Sequence, residues 1–311
     1  MPGQLMLLDA ASMYFRAFHA VPGSAPDGSP IGAVRGFLDA LARLLREHRP
    51  ARLAACMDAD WRPAFRVAAI PGYKAHRVGP DGAELVPAEL GPQVEVLLAV
   101  LGAVGIASPG VPGYEADDVI ATLAVRAGGP VDVVTGDRDL FQLVRDDVPI
   151  LVRYTGRGGI VVVDEAEITR RYGIPGRAYA DFATLRGDPS DGLPGVAGVG
   201  EKTAAAIVSR FGSLAAARAA AAAGGDEGFP AGARRRLVDA ADYLDRAEVV
   251  VRVATDAPVP ALEDRVPSAP ADPGTLLALA ERHGLAGPLT RLAGGLAAST
   301  GGAWHDLIRE H

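Results

Sequence analysis

The residues of this chain with the clearest chemical potential are carboxylates at the ends of predicted strands. Three short apolar runs are each followed at once by aspartates, and a further acidic group opens the helix before the third run: Asp9, Asp58, Asp137 and Asp139, with Glu115, Asp117 and Asp118. The carboxyl ends of parallel strands meet at one edge of a sheet, where ligands bind. We therefore expect these side chains to converge.

Each acidic group also has a purely structural explanation. Asp117 and Asp118 can cap a helix and complement its dipole, and an Asp-x-Asp pair such as Asp137 and Asp139 is common in turns. Taken together, however, crowded carboxylates repel one another and acquire raised pKa values unless cations neutralise them. The grouping therefore favours bound cations over several unrelated caps and turns.

The ligand type indicates which cations and which reaction. The six histidines are scattered and the single cysteine, Cys56, lies in an apolar run that predicts a buried side chain. Oxygen ligands alone favour Mg²⁺ or Mn²⁺ over Zn²⁺. Two such ions about 4 Å apart can clamp the attacking and leaving oxygens of a phosphoryl displacement, so the pattern predicts phosphodiester hydrolysis.

The net charge of −7 argues at first against a nucleic-acid partner. Nine carboxylates belong to the motifs of this section, and without them the net charge changes from −7 to +2. Only Lys74 and Lys202 are lysines among the 31 basic residues, and both lie in segments that we assign to DNA phosphates.

A change of pattern divides the chain into two regions and a tail. Up to residue 163, apolar strands alternate with helical periodicity, which predicts a mainly parallel sheet with helices on its faces. Expected strands are 5–8, 53–57, 131–135, 149–154 and 159–163, and expected helices are 33–47, 92–104 and 117–127. Residues 164–294 read as short helices broken by glycine and proline, and 295–311 as a loosely held tail.

A glycine-rich segment at 192–200 lies between two predicted helices, 179–186 and 204–211. Clustered glycines before a helix expose backbone N–H groups to a phosphate, and Lys202 adds positive charge. The order Gly-x-x-Gly-x-Gly differs from the dinucleotide-binding pattern, and Glu201 stands where a P-loop needs lysine. A helix-hairpin-helix that grips a DNA backbone therefore fits best.

Three motifs in this order resemble those of the 5′ nuclease domain of bacterial DNA polymerase I and of the related stand-alone flap endonucleases. They are Gly113 to Asp118 (GYEADD), Thr135 to Val144 (TGDRDLFQLV) and Gly187 to Thr203. The resemblance covers nearly all of residues 4–290. It implies an α/β fold: a PIN-like 5′ nuclease core at 1–163, a helical arch at 59–92 and a helix-hairpin-helix (H3TH) region at 164–294. Since no polymerase domain follows, we expect a free-standing enzyme.

The resemblance also implies roles for particular residues. The metal-binding acids are Asp9, Asp58, Glu115, Asp117, Asp118, Asp137, Asp139, Asp188 and Asp191. Arg66 and Lys74 are the basic pair of the arch that approaches the scissile phosphate. The residues that contact DNA are Arg77, Gly195, Gly198, Gly200, Lys202 and Thr203. Two or three Mg²⁺ or Mn²⁺ ions are expected, with K⁺ on the backbone carbonyls of 195–200.

One departure from the family pattern concerns the arch. Ile70-Pro71-Gly72 interrupts it where a continuous helix is typical, because proline removes a hydrogen-bond donor and glycine loosens the chain. We therefore expect the arch to become ordered when DNA binds.

The resemblance predicts a 5′ flap endonuclease and 5′-3′ exonuclease of replication and repair, acting on flaps, nicks, gaps and 5′ ends. We expect a monomeric, cytoplasmic protein, because no stretch reaches the ~18 apolar residues of a membrane span and no secretory leader is evident. Two alternatives stay open: a catalytically weak structure-specific DNA-binding protein, and a PIN-type ribonuclease. The nine acids disfavour the first, and the helix-hairpin-helix disfavours the second.

Overall fold

The computed structural model describes residues 3–156, 158–302 and 304. One sheet contains the strands β1 (Leu5–Asp9), β2 (Arg52–Cys56), β3 (Val131–Thr135), β4 (Ile150–Gly156) and β5 (Gly159–Val163). Their order is β2-β1-β3-β4-β5; the first four are parallel, and β5 is antiparallel to β4. The five predicted strands are confirmed, and β1, β2 and β3 end at the same edge.

Thirteen α-helices occur in the described residues. They are α1 (Ala10–Ala20), α2 (Gly32–His48), α3 (Ala64–Ala69), α4 (Leu90–Val104), α5 (Ala116–Arg126), α6 (Glu165–Tyr172), α7 (Tyr179–Arg186), α8 (Glu201–Phe211), α9 (Leu214–Ala222), α10 (Ala233–Asp239), α11 (Ala241–Val251), α12 (Pro273–His283) and α13 (Ala286–Thr300). Short 3₁₀ turns cover Ala75–Arg77, Asp139–Leu143, Gly176–Ala178 and Pro189–Asp191. The predicted helices in both halves are confirmed to within a few residues.

Both faces of β1, β2 and β3 are buried, which explains why these strands are mostly apolar rather than alternating. In β1, Leu5 and Leu7 belong to a core shared with α5 and with helices α7 to α11. Met6 and Leu8 point to the opposite face, into a core formed with α2, α4, α12 and α13. The sheet is therefore held rigidly from both sides, and so are the side chains at its carboxyl edge.

The C-terminal part of the chain differs from its prediction. Helix α13 continues to Thr300 and packs along α2, so residues 295–300 are not a loose tail. A Cβ at Gly295 would lie 2.8 Å from the carbonyl oxygen of Ala42, so glycine permits this close helix packing. The Trp304 side chain is buried and donates to the Pro267 carbonyl oxygen at 3.0 Å. Residues 303 and 305–311 of the predicted tail lie outside the described part.

Helices α12 and α13 also depart from the predicted division of the chain. The sequence predicts one helical DNA-binding region at residues 164–294. In the structure, however, α12 contacts α4 and α13 contacts α2. These two helices complete the core on the nuclease side of the sheet. Helices α6 to α11 share one core with the apolar residues of the helix-hairpin-helix segment.

The arch segment is interrupted where the sequence indicates. Helix α3 ends at Ala69, and turns at Pro71 and Gly72 lead to the 3₁₀ turn Ala75–Arg77. A single β-bridge then joins Val78 to Glu84. The predicted break is confirmed, and it gives the arch a folded-back form that brings its basic residues toward the acidic edge of the sheet.

Candidate active site

Asp9 is fixed at the carboxyl edge by a short hydrogen-bond network. It ends β1 and also caps α1, because its Oδ1 accepts from the Ser12 backbone N–H at 3.0 Å. Its Oδ2 accepts from Thr135 Oγ1 at 2.6 Å. The same Thr135 oxygen accepts from the Asp137 backbone N–H at 2.8 Å. One hydroxyl at the end of β3 therefore positions two of the predicted acids.

Five predicted acids line one cavity of about 650 Å³ at this edge, which we call the cleft: Asp9, Asp58, Glu115, Asp117 and Asp137. Lys74, Arg77 and Glu84 from the arch segment line the same cleft, beside Tyr14, Phe15 and Val94 on its apolar wall. The expected convergence of the strand-end carboxylates is confirmed for these five.

Three further acids form a second group next to the cleft. Asp139 begins the 3₁₀ turn after β3. Asp188 precedes the 3₁₀ turn Pro189–Asp191 and Asp191 ends it, just before the glycine-rich segment 192–200, which we call the glycine hairpin. Asp188 Oδ1 accepts from the Ser190 backbone N–H at 2.8 Å. Loss of solvation raises the pKa of Asp139 well above its usual range, and the negative charges of Asp137, Asp191 and Asp188 raise it further. Asp137 thus couples the two groups.

The electrostatic state of the cleft is that of crowded carboxylates. Burial, reinforced by Asp58 and Asp137, raises the pKa of Asp9 to about 7, although hydrogen bonds from Thr135 and Ser12 lower it. Loss of solvation and then the charges of Asp137 and Asp9 raise the pKa of Asp117 well above its usual range. The positive charges of the protein itself therefore do not offset the burial and mutual repulsion of these carboxylates.

The donor chemistry of the cleft fits hard divalent cations, since it offers carboxylate oxygens with raised pKa values and no sulfur or imidazole. Within residues 3–156, 158–302 and 304, no three His, Cys, Asp or Glu side chains surround one point as they stand. Glu115 faces Lys74 and Tyr73, and Asp58 Oδ1 accepts from the Ala116 backbone N–H at 2.7 Å. In this conformation, Glu115 and Asp58 are therefore oriented toward donors of the protein itself.

Asp118 does not fit its predicted role as a metal ligand. Its side chain is fully buried, and both oxygens are already engaged. Oδ1 accepts from Arg66 at 2.6 Å and from the Ala254 backbone N–H at 2.7 Å. Oδ2 accepts from Arg66 at 2.7 Å and from the Glu115 backbone N–H at 3.1 Å. Asp118 builds the start of α5 instead of binding an ion.

Arg66 is correspondingly not a residue that reaches a scissile phosphate. It is 2% exposed, and it also donates to Glu115 Oε2 at 2.6 Å and to the Val250 carbonyl oxygen at 3.1 Å. Its guanidinium therefore joins α3 to α5 and to the end of α11. The prediction failed because partners 49 and 52 residues away decide whether an arginine is buried.

Lys74 and Arg77 are the basic residues that the arch presents to the cleft. The Lys74 ammonium forms an ion pair with Glu115, and its backbone N–H donates to the Asp191 carbonyl oxygen at 3.0 Å. Arg77 Nη2 donates to Asp191 Oδ1 at 3.0 Å and to the Ser190 carbonyl oxygen at 3.1 Å. The basic pair of the cleft is thus Lys74 with Arg77, rather than Lys74 with Arg66.

The glycine hairpin lies between α7 and α8, as predicted. Gly198, Gly200 and Lys202 are exposed, and Thr203 is half-buried on the first turn of α8. Gly200 precedes α8 without any side-chain cap, so the first N–H groups of the helix stay open to a ligand. The predicted DNA contacts of these four residues stay predictions.

Gly195 has a packing role instead. Gly195 is buried, and a Cβ at this position would lie 2.4 Å from the Arg186 carbonyl oxygen. Its backbone N–H donates to the Tyr243 hydroxyl at 3.1 Å, and that hydroxyl donates to the Thr184 carbonyl oxygen. Gly195 therefore does not present its N–H to DNA.

Three residues that line the cleft or hold its acids are absent from the site residues predicted from the sequence. Thr135 positions Asp9, and Tyr73 donates to Glu115 Oε2 at 2.8 Å. Thr135 opens one of the quoted motifs and Tyr73 directly precedes Lys74, so the sequence offers a signal for both. Glu84 supplies a further acid to the cleft from the arch, and burial with the charge of Asp58 raises its pKa. No local pattern marks Glu84, because its position depends on the bridge to Val78.

Comparison with protein families gives two adjacent matches along the chain. Residues 4–173 match the family model of the 5′-3′ exonuclease N-terminal resolvase-like domain, and residues 174–273 match that of the 5′-3′ exonuclease C-terminal SAM fold. No helix in the described ranges is both long and apolar enough to cross a membrane.

Several curated proteins are similar over most of the chain. A 5′-3′ exonuclease of Streptomyces coelicolor is 56% identical over 92% of this chain and 98% of that protein. A 5′-3′ exonuclease of Mycobacterium tuberculosis is 52% identical over 94% of this chain and 97% of its own length. DNA polymerase I of Mycobacterium bovis is 46% identical over 68% of this chain, which corresponds to 23% of the polymerase.

Solved structures share the fold at low sequence identity. The T5 D15 protein co-crystallised with metal ions has a TM-score of 0.63 at 18% identity, covering 81% of this chain and 90% of that chain. Human GEN1 in complex with Holliday junction DNA has a TM-score of 0.61 at 14% identity, covering 94% of this chain and 72% of that chain. These similarities support the fold assignment.

Proposed function

Because the chain belongs to the 5′-3′ exonuclease family and is a structure-specific 5′ nuclease, we propose that it hydrolyses DNA phosphodiester bonds at 5′ flaps, nicks, gaps and 5′ ends. The observation that carries this proposal is the cleft: five carboxylates from strand ends and one helix start, coupled to three more. Similar proteins that are named 5′-3′ exonucleases support the direction of cleavage.

The eight acids that reach the cleft or its neighbouring group would hold Mg²⁺ or Mn²⁺, in the number of two or three. Those around the cleft are Asp9, Asp58, Glu115, Asp117 and Asp137, and those beside it are Asp139, Asp188 and Asp191. When bound, the ions activate water and neutralise charge on the reacting phosphate. Asp118 is left out of this set because Arg66 and two backbone N–H groups already occupy both of its oxygens.

The protein's own cations act on the phosphate. Lys74 and Arg77 line the cleft from the arch, and they pair with Glu115 and Asp191. A positively charged group placed where negative charge accumulates stabilises the transition state more than the ground state. We therefore assign Lys74 to the scissile phosphate, with Arg77 orienting the 188–191 segment and the DNA beside it.

The hairpin would hold duplex DNA away from the cut. Its open N–H groups before α8 and the exposed Lys202 suit a phosphate, which requires no base sequence. The K⁺ ion expected on the carbonyls of 195–200 stays a prediction, and so do the monomeric state and the cytoplasmic location.

A substrate panel tests the proposal. Labelled 5′-flap, nicked, single-stranded DNA and matched RNA are incubated with Mg²⁺, with Mn²⁺ or with a chelator. We expect cleavage of flap and nicked DNA near the branch, and only with metal. Binding of flaps without cleavage under every condition would support the DNA-binding alternative, whereas preferential cleavage of RNA would support the PIN-type ribonuclease.

A further inference from the structure

The arch meets the 188–192 segment through a close contact between two glycines. A Cβ at Gly192 would lie 2.5 Å from the Gly72 carbonyl oxygen, a distance that Cβ atoms essentially never show. Gly192 also has a φ of +76°, in the left-handed region that glycine adopts without strain. The arch can therefore lie against this segment only because residue 192 carries no side chain.

Three hydrogen bonds extend this contact along the arch. The Lys74 backbone N–H donates to the Asp191 carbonyl oxygen at 3.0 Å. Arg77 Nη2 donates to Asp191 Oδ1 at 3.0 Å and to the Ser190 carbonyl oxygen at 3.1 Å. We call these bonds, together with the contact between the two glycines, the latch. The latch fixes the arch against the segment that carries part of the second acidic group.

The turn that carries Lys74 is strained and is held from a second side. Lys74 has a φ of +48°, in the left-handed region that residues other than glycine rarely adopt. Such a conformation persists only where its surroundings hold it. Arg62 contributes to this, because its Nε and Nη2 donate to the carbonyl oxygens of Tyr73 and Pro71 at 2.6 and 2.7 Å. The Lys74 backbone is therefore held between Arg62 and the latch.

The Lys74 side chain extends from this held turn into the cleft, where its ammonium pairs with Glu115. A donor stabilises a transition state most strongly when its position is fixed before the reaction, because no reorganisation is then required. The contacts of the backbone supply that fixed position. The ammonium itself stays able to exchange Glu115 for a phosphate.

We propose that Gly192 and Arg62 are positioning residues for Lys74 in phosphodiester hydrolysis. Gly192 allows the arch to close on the 188–192 segment, and Arg62 holds the strained turn from the other side. The inference rests on the proposed function, because the group that is positioned is the cation assigned to the scissile phosphate. It deepens that function by adding two residues that are neither acids nor cations of the cleft.

Gly192→Asn tests the latch with little backbone strain, because asparagine tolerates the left-handed region better than most residues. Its Cβ would collide with the Gly72 carbonyl oxygen and should displace the arch. Single-turnover flap cleavage with Mg²⁺ at saturating enzyme should slow by roughly 10- to 100-fold, because a misplacement of about 1 Å can cost about 10²-fold in rate. Flap affinity, measured by anisotropy with a chelator, should stay close to wild type.

Gly173→Asn is the matched control. Gly173 also has a left-handed φ, +70°, but within the described residues a Cβ there would have open space to 4 Å. Its rate should equal that of the wild type. Arg62→Ala tests the same turn from the other side and leaves the 188–192 segment unchanged. It should also slow single-turnover cleavage without a matching loss of affinity.

A double-mutant cycle with Lys74→Ala separates positioning of Lys74 from damage to the neighbouring acids. If Gly192 acts through Lys74, Gly192→Asn should change the rate of Lys74→Ala only a little. The same slowing in the Lys74→Ala background as in the wild type would overturn the proposal. Wild-type rates for both Gly192→Asn and Arg62→Ala would overturn it as well.

Tryptic digestion without DNA distinguishes failure of this inference from failure of the proposed function. Gly192→Asn should be cut faster after Lys74 or Arg77 than the wild type and Gly173→Asn, because the latch no longer holds the arch. If the wild type cleaves flaps and Gly192→Asn is cut by trypsin no faster than the wild type, only the positioning role fails. If the wild type cleaves no DNA, the proposed function fails, and the positioning role fails with it.

Discussion

The cleft and the hairpin both face DNA in this account, but they are built in opposite ways. In the cleft, Asp9 is 5% exposed, receives two fixed hydrogen bonds and has a pKa of about 7. In the hairpin, Gly198, Gly200 and Lys202 are exposed, and glycine conformations rather than side chains shape the surface. Charge is therefore concentrated and desolvated in one region and dispersed in solvent in the other.

This difference separates residues that act on the reaction rate from residues that act on DNA affinity. A desolvated, oriented group has a large effect on charge that develops during reaction, whereas exposed cations act through counterion release and add affinity in small steps. Substitutions in the cleft should therefore change the rate or the fold, and substitutions in the hairpin should change binding. Each of the following variants tests one side of that division.

The largest effect is expected for Asp137→Asn, which removes the acid that couples the two carboxylate groups. Flap cleavage with Mg²⁺ should fall below detection, while flap binding by anisotropy and the circular dichroism spectrum stay close to wild type. Asp9→Asn should have the same effects on cleavage, binding and the spectrum. Asp146→Asn is the control, because Asp146 is exposed in the segment between β3 and β4. Near wild-type turnover by Asp137→Asn would mean that the metal assignment is wrong.

Arg66→Ala should act on stability. It leaves Asp118 buried without a counter-charge and Glu115 with Lys74 alone, and breaking a buried ion pair typically costs about 3–5 kcal/mol. Urea unfolding should therefore show a much lower midpoint, whereas Arg43→Ala, which removes an exposed pair with Glu47, should change little. An unchanged midpoint together with slow cleavage would restore the catalytic role that the sequence suggested for Arg66.

Lys74→Ala should slow single-turnover flap cleavage by ~10² to 10³, the usual cost of one transition-state donor. Flap affinity should fall only modestly. His76→Ala is the control, because His76 is exposed on the 3₁₀ turn that Lys74 directly precedes. If excess enzyme restores the wild-type rate to Lys74→Ala, Lys74 contributes only to DNA binding, as the hairpin residues do.

The smallest effect is expected for Lys202→Ala in the hairpin. Duplex affinity should fall severalfold and the salt slope should decrease by about 0.9, because one phosphate contact is lost. The single-turnover rate at saturation should not change. A large loss of rate with unchanged affinity across a salt titration would contradict the division between cleft and hairpin.

Much of this fold could be predicted because local patterns determine it. Strands β1, β2 and β3 are mostly apolar runs, and the sequence places Asp9 at the end of β1 and Asp137 two residues after β3. Helix α1 was not predicted, since it begins immediately after β1 and uses the same Asp9 as its cap. The pattern of apolar and polar residues does not reveal that a single residue both ends a strand and caps the helix that follows.

The errors at the site have a common cause in long-range contacts. Arg66 and Asp118 stand in sequence motifs together with residues that do line the cleft, but they pair with each other inside the protein. Gly195 stands among the hairpin glycines, but close packing against Arg186 explains it. A motif identifies the segment that forms a site, whereas the partners of each side chain decide its role.

The most direct test of the central claim is Mn²⁺ binding by the acids of the cleft, measured by electron paramagnetic resonance with a flap DNA bound. The account predicts about two bound ions per wild-type chain, fewer for Asp137→Asn, and the wild-type number for Asp146→Asn. Because protons compete with the cation for carboxylates of raised pKa such as Asp9, affinity should rise as the pH increases through about 7. Equal Mn²⁺ binding by wild type and Asp137→Asn, with cleavage lost only in the variant, would contradict the account.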